Sequence, residues 1–325
     1  GSAAKKYDPA TDDQSSLESG VKAPPVPNAV TTTRAPGTPT TAADVVETTA
    51  TGRVYYLDPK GKDTAKGTVK NPWKTFSTAL GKLAAGDTLL LQPGTYDGGT
   101  GDSGFVIKGL NGTADKPITI GAATATKPKF TGGEWKTISI EESSYLVVRG
   151  IETEGSAKVD KRPTSGIEIR ASHHVTVTGT YVHDGGGGGI GAIESNHIDI
   201  IGNYVSGMAK WNPFQTSGIS LFQSREIGGA PDADGYSMRI LGNTVFGSEN
   251  ITLPNGGGDV VTDGNCIIVD TTDVKTYGGR TYIANNICTN NGGRGIHVFQ
   301  AGNVVAVNNT LYHDMQTAKL KEEGG

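Results

Sequence analysis

The sequence predicts an all-β protein: a right-handed parallel β-helix, which is a single-stranded solenoid with three strands per rung, preceded by an N-terminal capping helix. Three observations lead to this prediction. The second half of the chain repeats with a period of 23 residues, an asparagine recurs in nearly every repeat, and one amphipathic helix precedes the first rung.

The repeat consists of five short runs that align with one another, at residues 178–182, 201–205, 241–245, 284–288 and 307–311. The first two runs and the last two are 23 residues apart, whereas the middle spacings of 40 and 43 residues correspond to one repeat plus an insertion. This period is too short for a propeller blade. A β-sandwich is the other competing fold, but a solenoid explains the repetition, because each coil buries its apolar face only against its neighbours.

The first strand of each repeat alternates apolar and other residues. Such alternation places Ile190 and Ala192 inside the coil and the residue after each of them outside. We align the openings of the five repeats at residues 166–167, 189–190, 218–219, 265–266 and 295–296. In this alignment Cys266 and Cys288 both face inward in one rung, as core thiols or as a cross-core disulfide.

One position per coil forms a predicted asparagine ladder. Asparagine tolerates the left-handed backbone of a turn, and its side-chain amide can bond the equivalent residue of the next coil, about 4.8 Å away. The column consists of Thr180, Asn203, Asn243, Asn286 and Asn309.

The capping helix is predicted just before the first rung. Asn71 is the expected N-cap and Pro72 the first helical residue, and one helical face then carries Trp73, Phe76, Leu80 and Leu83. Gly86 is expected to end the helix before a strand at residues 88–91. An apolar helical face at this place would cover the open end of the core.

Two parts of the chain are predicted, a Pro/Thr-rich linker over residues 1–50 and the β-helix over residues 51–325. The first 50 residues hold six Pro, nine Thr and a single aromatic residue, Tyr7, which is too little apolar surface to offset the entropy of ordering. At the other end the sequence stops after one last ladder asparagine, without a capping element. This suggests that C-terminal rungs are missing.

Composition excludes several classes of protein. The net charge of −4 gives no basic field for nucleic acid, and no apolar run approaches the roughly 20 residues of a membrane-spanning helix. We therefore expect no nucleic-acid partner and no transmembrane segment.

The chain resembles secreted bacterial right-handed β-helix proteins of the pectate-lyase-like superfamily. The segments that carry the resemblance are "YYLDPKGKDTAKGT", "NPWKTFSTAL" and "AAGDTLLLQPGTY" within residues 55–96, together with the ladder rungs. The resemblance covers residues 53–314 and implies the fold and a secreted or cell-surface location, extracellular or periplasmic. The superfamily includes lyases, hydrolases, epimerases and phage depolymerases, and their familiar catalytic signatures are incomplete in this sequence.

Insertions indicate where the binding site lies, because in a solenoid they collect on the binding face. They lie on both sides of the first strand of the rung, at residues 208–217, 225–237, 248–264 and 271–279. Outward residues of that strand would form a groove floor. The predicted floor columns are Glu168, Gly191, Ser220, Ile267, His297 and Arg170, Ile193, Phe222, Val269, Phe299; Ala171, Glu194, Gln223, Asp270 and Gln300 stand at the far end.

Four residues near this groove are the predicted catalytic set. His297 is a general acid or base, or simply an exposed histidine. Asp263 and Asp270 are the acid and base of an inverting hydrolase, cation ligands, or a turn residue and a loop cap. Arg294 binds a uronate carboxylate or pairs with Asp263.

Seven further residues are predicted to bind substrate. Aromatic rings stack on sugar faces, and charged or amide side chains read hydroxyl groups. The set is Trp211, Phe222, Phe299, Glu194, Gln223, Lys210 and Asp184. Trp211 serves as a platform only if it is exposed and otherwise anchors its loop, and Lys210 is a lyase base only if its pKa is lowered.

These features predict an extracellular enzyme that degrades a polysaccharide, as a lyase that cleaves a uronate-containing chain by β-elimination. The alternatives are an inverting glycoside hydrolase with paired carboxylates and a non-catalytic carbohydrate-binding or adhesive β-helix. We expect no required cofactor, or else a calcium ion.

Overall fold

The computed structural model describes residues 51–156, 163–212, 214–251, 261–273 and 275–317. The predicted linker, residues 1–50, lies outside the described residues. The elements in chain order are β1 (Val54–Leu57), α1 (Phe76–Leu80), β2 (Thr88–Leu91), β3 (Thr95–Asp97), β4 (Ser103–Lys108), β5 (Ile118–Ala122), β6 (Lys129–Thr131), β7 (Lys136–Glu141), β8 (Ser144–Arg149), β9 (Glu152–Glu154), β10 (Ser165–Arg170), β11 (His173–Thr178), β12 (Tyr181–His183), β13 (Ile190–Ile193), β14 (Asn196–Ile201), β15 (Tyr204–Ser206), β16 (Ile219–Phe222), β17 (Tyr236–Leu241), β18 (Thr244–Phe246), β19 (Ile267–Asp270), β20 (Arg280–Ala284), β21 (Ile287–Thr289), β22 (Ile296–Phe299), β23 (Val304–Val307) and β24 (Thr310–Tyr312).

The strands form three parallel sheets, and the chain visits them in turn. Sheet 1 contains every third strand from β4 to β22, sheet 2 contains β1, β2 and every third strand from β5 to β23, and sheet 3 contains every third strand from β3 to β24. Seven complete coils result within the described ranges. The predicted parallel β-helix is confirmed; the five expected rungs begin at β10, and two more precede them.

Inward residues of equivalent strands stack into apolar columns. In sheet 1, Ile167 pairs with Ile190, Ile190 with Ile219, and Ile219 with Ile267. All four are fully buried, which confirms the predicted alternation. The predicted opening of the fourth repeat at residues 265–266 is wrong by one residue, because Cys266, and not residue 265, takes the place of the repeat glycine.

The disulfide explains this substitution. In four coils a glycine of sheet 1 faces an aliphatic side chain of sheet 3 so closely that an added Cβ would overlap with it, in the pairs Gly166–Val182, Gly189–Val205, Gly218–Val245 and Gly295–Leu311. In the coil between the last two, Cys266 and Cys288 occupy these two places and form a disulfide with Cα atoms 5.6 Å apart. Of the two possibilities left by the sequence, the structure therefore has the cross-core disulfide.

The asparagine ladder is confirmed bond by bond. The side-chain oxygen of Asn203 accepts from the backbone N–H of Thr180 at 3.0 Å, and that of Asn243 accepts from the N–H of Asn203 at 2.9 Å. Asn286 and Asn309 continue the pattern at 2.9 and 3.0 Å. Each side-chain amide thus satisfies a buried donor of the preceding coil.

A second, shorter ladder of hydroxyl groups lines the corner between sheets 1 and 2. Backbone N–H groups of Leu110, Ser143 and Ser172 donate to the side-chain oxygens of Ser143, Ser172 and Ser195, at 3.1, 3.1 and 3.2 Å. This feature was not predicted, because serine is too common in loops for its recurrence to stand out.

The N-terminal cap is confirmed in position but is shorter than predicted. The helix begins after Thr75, whose side chain accepts from the N–H of Thr78, and it ends at Leu80 with Gly81 as its C-cap, before the predicted Gly86. Asn71 is not the N-cap, because residues 71–73 are extended in isolated bridges to Thr68 and Leu57. Phe76 nevertheless packs edge-on against Phe105 and Phe130, over the first coil.

At the other end, the last coil has no described element over its core columns. Val298 and Leu311 occupy inward positions but are 42% and 51% exposed. Further rungs after this coil stay a prediction.

Candidate functional site

Insertions flank sheet 1 on both sides, as predicted. The connections before β16 and β19 span residues 207–218 and 247–266, and those after them span residues 223–235 and 271–279. Ile268 points out of the coil between these connections, yet it is only 3% exposed. The outer face of sheet 1 is therefore partly covered at this level, and it forms the floor of the candidate groove.

The observed register corrects the predicted floor. The two columns are Glu168, Gly191, Ser220, Ile268, His297 and Arg170, Ile193, Phe222, Asp270, Phe299. Ile267 and Val269 are buried core residues and not floor residues. Asp270 lies on the floor and not at the far end of the strand, because the predicted alignment of the fourth repeat was shifted by one residue.

The N-terminal half of the floor is closed by ion pairs. Glu168 lies 3.0 Å from the ammonium of Lys136 and 3.6 Å from the guanidinium of Arg170, and Arg170 also lies 3.8 Å from Glu194. Glu194, one of the predicted substrate ligands, therefore already has a charged partner. In the described C-terminal half, Ile193, Phe222 and Phe299 leave an apolar floor that is better suited to sugar rings.

His297 points outward from β22 beside this apolar floor. Its Nδ1 is buried without a hydrogen-bond partner, so Nε2 is the nitrogen that can reach a ligand. The ring lies 5.7 Å from that of Phe299, centroid to centroid. Burial, and after it the charge of Arg294, lowers the pKa of His297, whereas Asp270 acts in the opposite sense. The imidazole is thus neutral near pH 7.

Asp263 and Asp270 form an interacting pair of carboxyl groups. Burial raises the pKa of Asp263 to about 6, and the charge of Asp270 adds to this rise; the amide of Asn265 and the charge of Arg294 oppose it. Asp270 accepts a hydrogen bond of 2.6 Å from the hydroxyl of Thr271. Two carboxyl groups in one site with different environments can act as acid and base.

Arg294 joins the loop before β19 to the last coil. Its Nη1 donates to the carbonyl of Thr262 at 3.2 Å, and its backbone N–H donates to the side-chain oxygen of Asn265 at 2.8 Å. Among the described ion pairs none joins Arg294 to Asp263, so most of the guanidinium donors are available to a ligand. Asn265 links Asp263 to the backbone of Arg294, and Asp270 and His297 lie on the adjacent strands β19 and β22.

Asn265 is a positioning residue that the sequence analysis missed. Its side-chain nitrogen donates to the hydroxyl of Ser217 at 3.0 Å and to Asp263 at 3.4 Å, while its oxygen holds the backbone of Arg294. The residue is fully buried. A buried amide between two charged candidates could have been found from the "DGN" run, but the shifted alignment assigned it to the opening of a strand.

Trp211 is a loop anchor and not a substrate platform. Its side chain is 4% exposed, and its indole lies so close to Gly186 that an added Cβ there would overlap with it. The exposed aromatic residue of this loop is instead Phe214, at 73%, with its ring centroid 5.8 Å from that of Trp135.

The remaining predicted ligands lie on the sheet 3 side of the groove or at its far rim. The ammonium of Lys210 donates to the carbonyl of Gly247 at 2.9 Å and lies 3.8 Å from Glu249, so it has partners already. Asp184 is exposed and lies 2.8 Å from Nδ1 of His183. Gln223 is exposed at the end of β16. No described contact joins any of these three residues to His297, Asp263, Asp270 or Arg294.

Three-residue groups with metal-ligand potential occur in two other places among the described residues. Glu152, Glu154 and His183 form one group, but the ammonium of Lys129 already occupies it, 2.9 and 2.5 Å from the two glutamates. His174, His197 and Asp232 form the other, on the outer face of sheet 2. Neither group includes Asp263 or Asp270, the groove carboxylates that were predicted as possible cation ligands.

Comparison with known proteins places the fold in a family. The family model described as "Pel9A-like, right handed beta helix region" matches residues 55–317. Pectate lyase L of Dickeya dadantii (strain 3937) is 26% identical over 159 residues, which are 45% of this chain and 37% of that protein. The uncharacterized protein YwoF of Bacillus subtilis (strain 168) is 28% identical over 156 residues, 48% of this chain and 26% of that protein.

The chain thus spans about a third of the curated relatives it matches. Among solved structures, pectate lyase Pel9A matches with a TM-score of 0.43 and 15% identity, over 81% of this chain and 79% of that one. A lacto-N-biosidase from Eubacterium ramulus matches with a TM-score of 0.43 and 14% identity, over 80% and 68% of the two chains.

No helix of the described ranges has the length and hydropathy of a membrane span. The three-sheet coil, its register and the family match over residues 55–317 agree with one another. This chain belongs to the family of Pel9A-like right-handed β-helix regions.

Proposed function

We propose that the chain carries the catalytic groove of a secreted polysaccharide lyase, which cleaves a uronate-containing polysaccharide by β-elimination. The observation that supports this proposal best is one arrangement: His297 and Asp270 lie on the outer face of the adjacent strands β22 and β19, and Asp263 and Arg294 lie in the connections that lead into these strands. It provides a neutral base, an acid with a pKa of about 6 and a cation within one electrostatic site. The sequence relationship to pectate lyase L points to the same class of reaction.

In the proposed reaction each group has one task. The guanidinium of Arg294 binds the uronate carboxylate and stabilises the negative charge that develops when C5 loses its proton. Nε2 of neutral His297 accepts that proton, the C4–O4 bond breaks, and a double bond forms between C4 and C5. Protonated Asp263 donates a proton to the departing O4. The product ends are an unsaturated uronate and a new hydroxyl group.

Asp270 adjusts this site by its charge and binds substrate hydroxyls from the floor. Phe222 and Phe299 stack on the sugar rings. The proposal involves no step through calcium.

An inverting glycoside hydrolase is the second candidate. The observation that favours it is that the charge of Asp270 raises the pKa of Asp263, as expected for an acid and base that share one site. In this reaction Asp263 protonates the leaving oxygen while Asp270 activates a water molecule, and the two carboxyl groups must be about 6.5–9.5 Å apart. The products then carry no double bond.

Paired variants test the proposed site. We expect His297→Ala and Asp270→Asn each to lower turnover at least about tenfold and to leave Tm nearly unchanged. For His297 this loss is a modest fraction of what general acid–base catalysis contributes, and for Asp270 it reflects the loss of its charge and of its bonds to substrate. His313→Asn and Asp115→Asn are the matched controls, since both positions are exposed and lie outside the groove. Full activity in both groove variants would refute the assignment, as would an equal loss in the controls.

A further inference from the structure

The outer face of sheet 2 carries a histidine stack that the proposed function does not use. Tyr145, His174 and His197 occupy equivalent places in three successive coils, each with a left-handed backbone, at φ of 51°, 52° and 49°. Their rings stack with centroids 4.4 and 4.1 Å apart. The repeat of the coils thus places two imidazoles side by side.

The hydrogen bonds of the stack leave one nitrogen of each imidazole available. Nδ1 of His174 lies 2.9 Å from Nδ1 of His173. The other ring nitrogen of His174, Nε2, has no described hydrogen-bond partner. Nε2 of His197 donates to the carbonyl of Gly229 at 3.3 Å, which leaves its Nδ1 as an acceptor. That Nδ1 is buried and makes no hydrogen bond, and the His197 side chain is only 3% exposed.

A carboxylate faces this unpartnered nitrogen. Asp232, from the connection between β16 and β17, places Oδ1 3.5 Å from Nδ1 of His197. Both atoms are acceptors when the imidazole is neutral, so the contact is unfavourable unless a proton or a metal cation lies between them. Single donor atoms of His174, His197 and Asp232 all lie within 4.8 Å of one another.

The surroundings also favour a divalent cation. A cavity of about 130 Å³ is lined by His174, Thr176, His197, Asp199, Asp232 and Arg239. Arg239 lies 2.6, 2.9 and 3.6 Å from Asp232, Asp234 and Asp199 respectively. Apart from Arg239 and His197, no described cation lies within ion-pair distance of these three carboxylates. Burial raises the pKa of Asp199, but Asp232 and Asp234 together still carry one negative charge more than Arg239 compensates.

We propose that His174, His197 and Asp232 bind a divalent transition-metal ion of the Zn²⁺ type on the outer face of sheet 2. Two imidazoles and one carboxylate are a donor set that suits zinc, with bonds of about 2.0–2.2 Å and a fourth position open to water. Since the donor atoms are at most 4.8 Å apart, side-chain rotations that tilt the two stacked rings out of parallel bring them to one ion. The ion would fasten the 223–235 connection, which leads away from the groove floor, onto sheet 2. The site is independent of the proposed lyase reaction, which takes place on sheet 1.

Metal binding is measured directly on the chain after chelator treatment and dialysis. We expect one Zn²⁺ per chain in a competition titration against a chromophoric chelator. We also expect Tm to rise by about 5 °C when free Zn²⁺ is a hundredfold above Kd. Ca²⁺ at the same concentration should not change Tm, because it prefers all-oxygen ligands.

Variants assign the ion to the three residues. His174→Asn, His197→Asn and Asp232→Asn should each weaken zinc binding at least about tenfold. Asparagine keeps the left-handed backbone at the two histidine positions, and Asp232 is an exposed loop residue, so Asp232→Asn keeps the proposal testable if the buried variants fail to fold. Asp115→Asn, outside the cavity, and Glu154→Gln, in the other three-residue group, are controls that should bind zinc like the parent chain.

Three results would overturn the proposal. The first is the absence of zinc binding and of any Tm change in the parent chain, which would mean that a proton alone joins His197 to Asp232. The second is loss of binding in Glu154→Gln but not in Asp232→Asn. The third is Ca²⁺ binding that equals zinc binding and is lost in the same variants.

Discussion

Removing one ladder asparagine should destabilise the whole coil, and Asn243→Ala is the sharpest such change. The Asn243 side chain is fully buried and makes four hydrogen bonds. Its oxygen accepts from the backbone N–H and the side-chain amide of Asn203 at 2.9 and 3.0 Å. Its nitrogen donates to the carbonyl of Ile200 and to the side chain of Asn286, both at 2.9 Å.

The expected cost follows from these four bonds. Each contributes about 1 kcal/mol net, and alanine leaves their partners buried and unsatisfied, so the free energy of unfolding should fall by about 4 kcal/mol. For a unit of this size, 1 kcal/mol shifts Tm by about 2–4 °C, which predicts a decrease of about 8 °C or more. Thermal unfolding followed by circular dichroism measures this decrease.

Two comparisons make the result specific. Asn71→Ala removes an exposed asparagine outside the ladder and should leave Tm within about 1 °C. Asn309→Ala removes the last, half-buried member and should cost less than Asn243→Ala, because its side chain bonds only toward the preceding coil. If Asn243→Ala and Asn71→Ala shift Tm equally, the ladder does not stabilise the fold as argued.

Three further predictions concern the site and the core. Asp263 keeps its proton in the fold up to a pH of about 6 but releases it near pH 4 when unfolded, so its contribution to the stability of the fold is lost as pH rises through that range. Asp263→Asn should therefore increase the free energy of unfolding at pH 8 by up to about 3 kcal/mol, with a higher Tm, and leave both unchanged at pH 4. An unchanged Tm at pH 8 would contradict the raised pKa. The double variant Cys266→Gly, Cys288→Val should fold and keep the circular dichroism spectrum of the parent, because it restores the glycine–valine pair of the neighbouring coils. It should lose at most about 3 kcal/mol of disulfide stabilisation. An unfolded variant would show that the cross-link is essential. Activity should survive EDTA if the groove needs no calcium, whereas a loss that Ca²⁺ restores and Zn²⁺ does not would assign the ion to the groove.

The sequence predicted the fold well because the fold is itself a repetition. Spacing of the ladder asparagines defined the coils, and alternation defined their inner faces, so Asn203 and Ile190 lie where expected. The error in the fourth repeat arose where the pattern was replaced and not repeated, since Cys266 stands where the other coils have glycine. Because of this one-residue error, the sequence alignment placed Asp270 at the end of the strand and not on the groove floor.

The candidate site was only partly predictable for a different reason. The alternation of inward and outward residues predicts that His297 points outward, but it does not say which loop residues are buried. The sequence therefore left open whether Trp211 is an exposed platform or a loop anchor, and the structure buries it. His174 and His197 are one 23-residue repeat apart, so the period could have shown that they are equivalent, but the left-handed backbone that stacks their rings is visible only in the structure. Their partner Asp232 comes from an insertion whose path only the structure provides.

The most direct test of the proposed function is the product formed from a panel of uronate-containing and neutral polysaccharides. Ultraviolet absorbance reports the double bond of an unsaturated uronate, and a reducing-end assay on the same samples reports every cleavage. Both signals should appear together with a uronate-containing polymer, and both should fall at least about tenfold in His297→Ala. Reducing ends without the new absorbance would show hydrolysis, and the absence of both signals with every polymer, while binding persists, would show a carbohydrate-binding solenoid and contradict the proposal.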